Sequence, residues 1–155
     1  MHWPRFVGCI LLCLLAGALG SAFTETSEGS WYAGLEKAAF NPPNWVFAPA
    51  WTLLYILMGI SLYLLWEEVS SKWAVHAIAL FLVQLFLNFL WPFLFFGLHS
   101  PLYAFVEILF LWLAILATIF FAYRVDRRAA YLLFPYLLWV SFAAFLNYNV
   151  MALNP

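Results

Sequence analysis

The chain has 155 residues, 68% of them hydrophobic and 8% charged, with a formal net charge of −1. That leaves too little polar surface to cover a water-soluble globule, and the near-neutral balance gives no basis for nucleic-acid binding. No short alternating segments of a β-barrel are visible, so an integral membrane protein built from helices is expected.

Five apolar runs reach or approach the ~20 residues that a spanning helix needs. They predict an all-α bundle of five transmembrane helices over 5–23, 45–66, 73–97, 101–123 and 129–152, within one membrane domain spanning 1–155. Only the connection 24–44 is long enough to hold structure of its own. The first run carries Arg5, an apolar core and the small residues Ala18, Gly20 and Ser21, the pattern of a cleavable signal peptide. Its apolar character continues to Phe23, and Gly17 with Ser21 forms a small-xxx-small pair, so a retained helix is expected. Cys9 and Cys13, one turn apart, read as small buried hydrophobes.

Helix two opens with "NPPNWVFAPAW". Pro42 and Pro43 fix the chain's approach, and Pro49 falls near the first turn, where its missing N–H costs little. Trp45, Trp66 and Trp73 sit at segment ends, where interfacial belts enrich tryptophan. Five helices alternate their connections, so Arg5, Lys72, Arg124, Arg127 and Arg128 share one side and Lys37 is left on the other. The positive-inside pattern then places the N-terminus in the cytoplasm and the 24–44 loop on the outside.

Trp51, Trp91 and Trp139 lie inside the spans, together with polar residues. Gln84, Asn88, Trp91 and Phe95 share one face of helix three, Tyr103 and Glu107 one of helix four, and Trp139, Ala143 and Asn147 one of helix five. A rise of ~1.5 Å per residue puts Trp51, Trp91, Glu107 and Asn147 ~9 Å below the loop surface, Asn88 ~14 Å and Trp139 ~21 Å, as a floor. Polar side chains are costly toward lipid, so Asn88, Asn147 and Glu107 should face the bundle and find partners there. Interhelical glue and ligand contact are both open readings for the asparagines. The indoles suit a flat aromatic ligand or simple core packing.

The segments "WYAGLEKAAFNPPNWVFAPAWTLLYILMG", "QLFLNFLWPFLFFG" and "FPYLLWVSFAAFLNY" resemble the signature blocks of the TspO/MBR family, the tryptophan-rich sensory proteins and translocator proteins (peripheral-type benzodiazepine receptors). The resemblance covers roughly residues 31–148. It implies a pocket under the loop joining helices one and two, binding porphyrins, sterols, or isoquinoline and benzodiazepine compounds. By motif, Trp51 in "PAWTLLY" and Trp139 in "PYLLW" match the tryptophans implicated in porphyrin chemistry. Asn88 and Trp91, Tyr32 in "WYAGL", and Ala143, Leu146 and Asn147 match further pocket positions. Several members are dimers, so a homodimer is among the arrangements implied, although helix three offers few small residues for close packing. Two further departures stand out. Ala38 follows Lys37 where many relatives have proline, and no basic residue follows Tyr148, which breaks the sterol motif claimed for animal members.

The chemistry expected of such a pocket is binding. No nucleophile has an adjacent base, and His2, His76 and His99 lack metal-ligand spacing, so no metal, no obligatory cofactor and no axially ligated haem are expected. The leading expectation is a sensor or carrier of porphyrins or other tetrapyrroles, including protoporphyrin IX or haem, in a bacterial cell membrane. The alternatives are light- and oxygen-dependent porphyrin breakdown, with Trp51 and Trp139 as the catalytic donors, and a lipid- or sterol-binding modulator of a partner protein.

Overall fold

Five helices, α1 (Trp3–Ser21), α2 (Phe47–Glu67), α3 (Lys72–Pro92), α4 (Pro101–Tyr123) and α5 (Arg127–Leu153), carry nearly all of the computed structural model, which describes residues 2–155. All five are long and apolar enough to cross a membrane, with mean hydropathy between 1.7 and 2.5. The apolar runs thus become helices where expected, and the boundary differences have local causes. A 3₁₀ turn over Asn44–Val46 precedes α2. Asp126 caps α5 by accepting from the Arg128 backbone N–H at 2.7 Å, which starts that helix at Arg127. Hydrogen bonding to the Arg128 side chain holds the Asp126 carboxyl below its ordinary range. This cap therefore stabilises α5 above the usual carboxylate range and is lost as pH falls through the lowered value.

Helix three departs furthest from expectation. Pro92 has no N–H to donate, and the chain beyond it widens into a π-type turn over Phe93–Gly97, where the Leu98 N–H reaches the Phe93 carbonyl at 2.9 Å. His99 then adopts a left-handed conformation, φ 51°, and Ser100 caps α4. The π-type turn re-aims Phe95 and Phe96 toward the bundle interior, which places both on the cavity described below.

α1 packs on α2 and α3, α2 on α5, α5 on α4, and α4 on α3, which closes a ring in the order α1, α2, α5, α4, α3. The ends meet in the alternating sense. The His2 N–H donates to the Tyr63 hydroxyl and Arg5 lies 3.9 Å from Glu67, while at the other end the loop reaches the termini of α3 and α5. Five of the six basic residues consequently lie at the end opposite the loop.

Close approach of α1 and α2 depends on missing side chains. A Cβ on Gly59 would lie 2.5 Å from the Ile10 Cα, and one on Gly17 would lie 2.2 Å from the Tyr55 ring. Gly17 is thus a packing residue, as its spacing suggested, whereas Ser21 is exposed and bonds back to the Ala18 carbonyl. Cys9 and Cys13 are buried and unpaired. Gly59→Ala should lower stability by about 1–3 kcal/mol, because the clash is with backbone that cannot yield. Gly8→Ala, where a Cβ meets nothing within 4 Å, should leave it unchanged or slightly raised. Thermal denaturation of the two variants in neutral detergent checks this, and equal midpoints would contradict it.

Candidate functional site

Beneath the loop the ring does not fill. A cavity of about 520 Å³ is lined by all five helices and by the loop residues Thr24, Thr26, Tyr32, Asn41 and Asn44. Its size falls in the range of small-molecule sites. Helix direction gives the depth of each wall. The deepest lining residues are Leu14 of α1, Tyr55 of α2, Asn88 of α3, Leu111 of α4 and Trp139 of α5, and together they form the base.

A chain of hydrogen bonds runs under and through this base. The Tyr55 hydroxyl donates to Asn88 Oδ1, Asn88 Nδ2 donates to the Tyr136 hydroxyl at 2.8 Å, and that hydroxyl donates to Gln84 Oε1 at 2.8 Å. All four residues are buried, so α2, α3 and α5 are tied together by polar groups that the surrounding hydrocarbon cannot solvate. Higher up, the Trp91 indole donates to Asn147 Oδ1 at 3.0 Å and Asn147 Nδ2 donates to the Pro101 carbonyl at 2.8 Å. Both asparagines therefore act as interhelical glue while also lining the cavity.

The aromatic walls follow from helical spacing. Trp51 stacks on Tyr55, four residues further along α2, with centroids 5.6 Å apart. It meets Trp139 edge to face at 6.5 Å and 86°. Trp91 stacks on Phe95 at 4.9 Å. The Trp139 indole nitrogen is buried and has no hydrogen-bond partner among the described residues, an unspent donor in the base.

The loop is a fixed roof. Tyr32 is buried against Phe95 and Phe96, and Trp31 stacks on His99 at 4.6 Å. Lys37, whose partial burial lowers its pKa, donates to the Tyr32 and Leu35 carbonyls at 2.6 and 2.9 Å and sits over the Tyr32 ring. Asn154, just past α5, accepts from the Glu36 N–H at 3.0 Å and donates to the Glu36 carbonyl at 2.9 Å. These bonds hold the loop although no proline follows Lys37. The exposed lining residues, Ala18, Ser21, Thr24, Asn44, Ala48 and Thr52, all lie along the seam between α1 and α2, so the cavity opens sideways there.

Of the residues singled out from the sequence, the structure brings Tyr32, Trp51, Asn88, Trp91, Trp139, Ala143, Leu146 and Asn147 to one cavity. Tyr103 is excluded. It is 61% exposed on the outer face of α4, because it shares a helix stripe with Glu107 only loosely and falls on the lipid side of it. Glu107 is buried, but neither carboxyl oxygen has a partner among the described residues, and the residue is not in the lining, which receives its neighbours Ile108 and Leu111 instead. The expected ~12 Å step between Trp51 and Trp139 is also absent, since the rings nearly touch. The helix ends are not level: α5 rises into the loop layer, where Asn154 bonds Glu36, so counting from its end overstates depth. Tyr55 was missed although it lies four residues from Trp51 on the same face. The contribution of α1, through Leu14, Gly17 and Gly20, has no polar signal to reveal it.

Asn88→Ala should cost about 1–2 kcal/mol, since it strands the Tyr55 hydroxyl and removes a donor to Tyr136. Tyr103→Ala should fall within about 0.5 kcal/mol of the parent. Thermal unfolding in detergent compares them, and an Asn88 effect no larger than that of Tyr103 would contradict the hydrogen-bond chain.

The model of the TspO/MBR family matches residues 9–153. The chain is 48% identical to the tryptophan-rich protein TspO of Archaeoglobus fulgidus, over 99% of both chains. It is 41% identical to the translocator protein of Bos taurus, over 96% of this chain and 89% of that one, and 38% identical to protein CrtK of Rhodobacter capsulatus, over 100% and 96%. With five membrane-crossing helices in a ring and a match over nearly its whole length, the chain is a multi-pass membrane protein and belongs to the TspO/MBR family.

Proposed function

We propose that the cavity binds a flat, largely apolar tetrapyrrole such as protoporphyrin IX, and that the protein serves as a sensor or carrier of it. The observation that carries this reading is the wall itself. Trp51, Trp91, Trp139, Phe95 and Phe96 surround one space, and the only buried indole N–H without a partner among the described residues, that of Trp139, lies in its base. Aromatic faces supply stacking area, and the buried unspent donor of Trp139 supplies orientation at the ring nitrogens of a macrocycle. The amides of Asn88 and Asn147 are already engaged with other helices, so recognition is dominated by stacking. The cavity lining holds no histidine, cysteine or methionine, which suits a porphyrin held by stacking rather than by those axial ligands.

The lateral opening between α1 and α2 suits a ligand that arrives through the membrane rather than from water. The clustering of five of six basic residues at the end away from the loop supports a cytoplasmic N-terminus in a bacterial cell membrane. One further observation favours the second reading, light-dependent porphyrin breakdown: Trp51 and Trp139 are 6.5 Å apart in the cavity wall, two electron-rich rings beside one ligand. In that case an excited porphyrin and oxygen supply the oxidising power and the two indoles act as donors.

Titrating protoporphyrin IX into the detergent-solubilised protein in the dark should quench tryptophan fluorescence at micromolar concentration. Trp139→Phe should weaken binding about five- to tenfold through loss of one hydrogen bond. Absence of quenching would overturn the binding reading. Illumination then separates the two functions. Decay of the porphyrin absorption bands that is lost in the Trp51→Phe, Trp139→Phe double variant supports breakdown, whereas spectra unchanged by light leave a binding protein.

A further inference from the structure

At the end of the bundle away from the cavity, two cations crowd one indole. The Lys72 ammonium lies 5.2 Å from the centroid of the Trp73 ring, and the Arg124 guanidinium lies 4.9 Å from the same ring. Lys72 and Trp73 open α3 and Arg124 follows the last residue of α4, so the packing of α3 against α4 brings them together. Arg124 also covers Phe120 at 4.6 Å, and Phe121 backs the indole at 5.9 Å. Arg124 opens the basic run RVDRR of residues 124–128, whose other two arginines are engaged elsewhere. Within that run Arg128 is paired with Asp126 at 2.8 Å, and Arg127 sits over Tyr123.

The other cations have local partners. Arg5 lies 3.9 Å from Glu67, and Lys37 donates to two carbonyls. Among the described residues neither Lys72 nor Arg124 makes an ion pair; Glu68, the acid nearest Lys72 in sequence, makes none either, and Asp126, the acid nearest Arg124, is paired with Arg128. Two like charges held on one ring repel each other, and an anion between them converts that repulsion into attraction. Trp73 marks the depth of the site, because indoles at helix ends settle at the headgroup level. Below it the exposed side chains Val75 and Leu82 of α3 and Leu116 and Phe120 of α4 are apolar and face lipid.

We propose that Lys72, Trp73 and Arg124 form a binding site for the phosphodiester headgroup of an anionic phospholipid. Arg124 supplies a planar fork matched to phosphate oxygens, Lys72 supplies a second positive charge, and Trp73 aligns both at headgroup depth. The acyl chains run along the α3–α4 face. Bilayer phospholipid is the source of the anion, since the site combines charge with an adjoining apolar surface that a free phosphate cannot use.

The test uses delipidated full-length protein in a neutral detergent, with retained dioleoyl phosphatidylglycerol and dioleoyl phosphatidylcholine counted by native mass spectrometry. Phosphatidylglycerol should bind about 30-fold more tightly than phosphatidylcholine, the effect of two surface cations. Lys72→Gln and Arg124→Gln should each remove about fivefold of that preference, with thermal midpoints unchanged in the same detergent. Arg127→Gln should alter it less than twofold, and millimolar inorganic phosphate should leave the lipid in place. Equal retention of both lipids would overturn the site, as would an Arg127→Gln loss matching that of Arg124→Gln. Displacement by inorganic phosphate would overturn the lipid as its ligand.

Discussion

The hydrogen-bond chain from Tyr55 through Asn88 and Tyr136 to Gln84 sets the level at which the bundle stops being solid. Buried polar groups in a membrane cannot turn to water, so each must be met by a partner on a neighbouring helix. That requirement fixes the rotation of α2, α3 and α5 about their axes. Once Tyr55 and Asn88 face each other, Trp51 and Trp91, about one turn nearer the loop on their respective helices, must also face inward. The aromatic cavity is thus a consequence of the polar layer beneath it. Trp91 to Asn147 and Asn147 to Pro101 repeat the same logic nearer the loop and hold the upper wall open.

Small residues complete the arrangement. α1 carries no polar side chain into the bundle core, and it is held by shape: Gly59 admits the Ile10 backbone and Gly17 admits the Tyr55 ring. This makes α1 the wall joined to the ring by packing rather than by buried side-chain hydrogen bonds within the membrane. The seam where it diverges from α2 is where the cavity opens, and the exposed lining residues there are small or short polar ones. The roof is held by different means, through Lys37 on backbone carbonyls and the reciprocal amide bonds of Asn154 with Glu36.

Much of this was legible in the sequence because the membrane simplifies the problem. Length of apolar run gives the helices, charge gives the alternation, and the expense of a polar group in lipid points Asn88 and Asn147 inward. What was not legible depended on three-dimensional offsets. Residue counting placed Trp139 well below Trp51, because it assumed that all helices end at one level, whereas α5 projects into the loop layer. The period of a helix is too coarse to separate Tyr103 from Glu107 reliably, and one proved to face lipid. The predicted helix ran unbroken over 73–97, and the π-type turn after Pro92 that redirects Phe95 and Phe96 required the backbone itself. The walls from α1 showed only the small-residue spacing of Gly17 and Ser21, which signals packing rather than ligand contact.

The central claim is that a tetrapyrrole lies against the base of the cavity and engages the buried indole donor of Trp139. Indole N–H resonances of ¹⁵N-tryptophan-labelled protein, assigned by single substitution and followed as protoporphyrin IX is added in the dark, read this directly. The Trp139 resonance should move the most, with Trp51 shifted by ring currents and Trp91 less affected because its N–H is already bonded to Asn147. A Trp139 signal that stays in place while porphyrin binds would contradict the account.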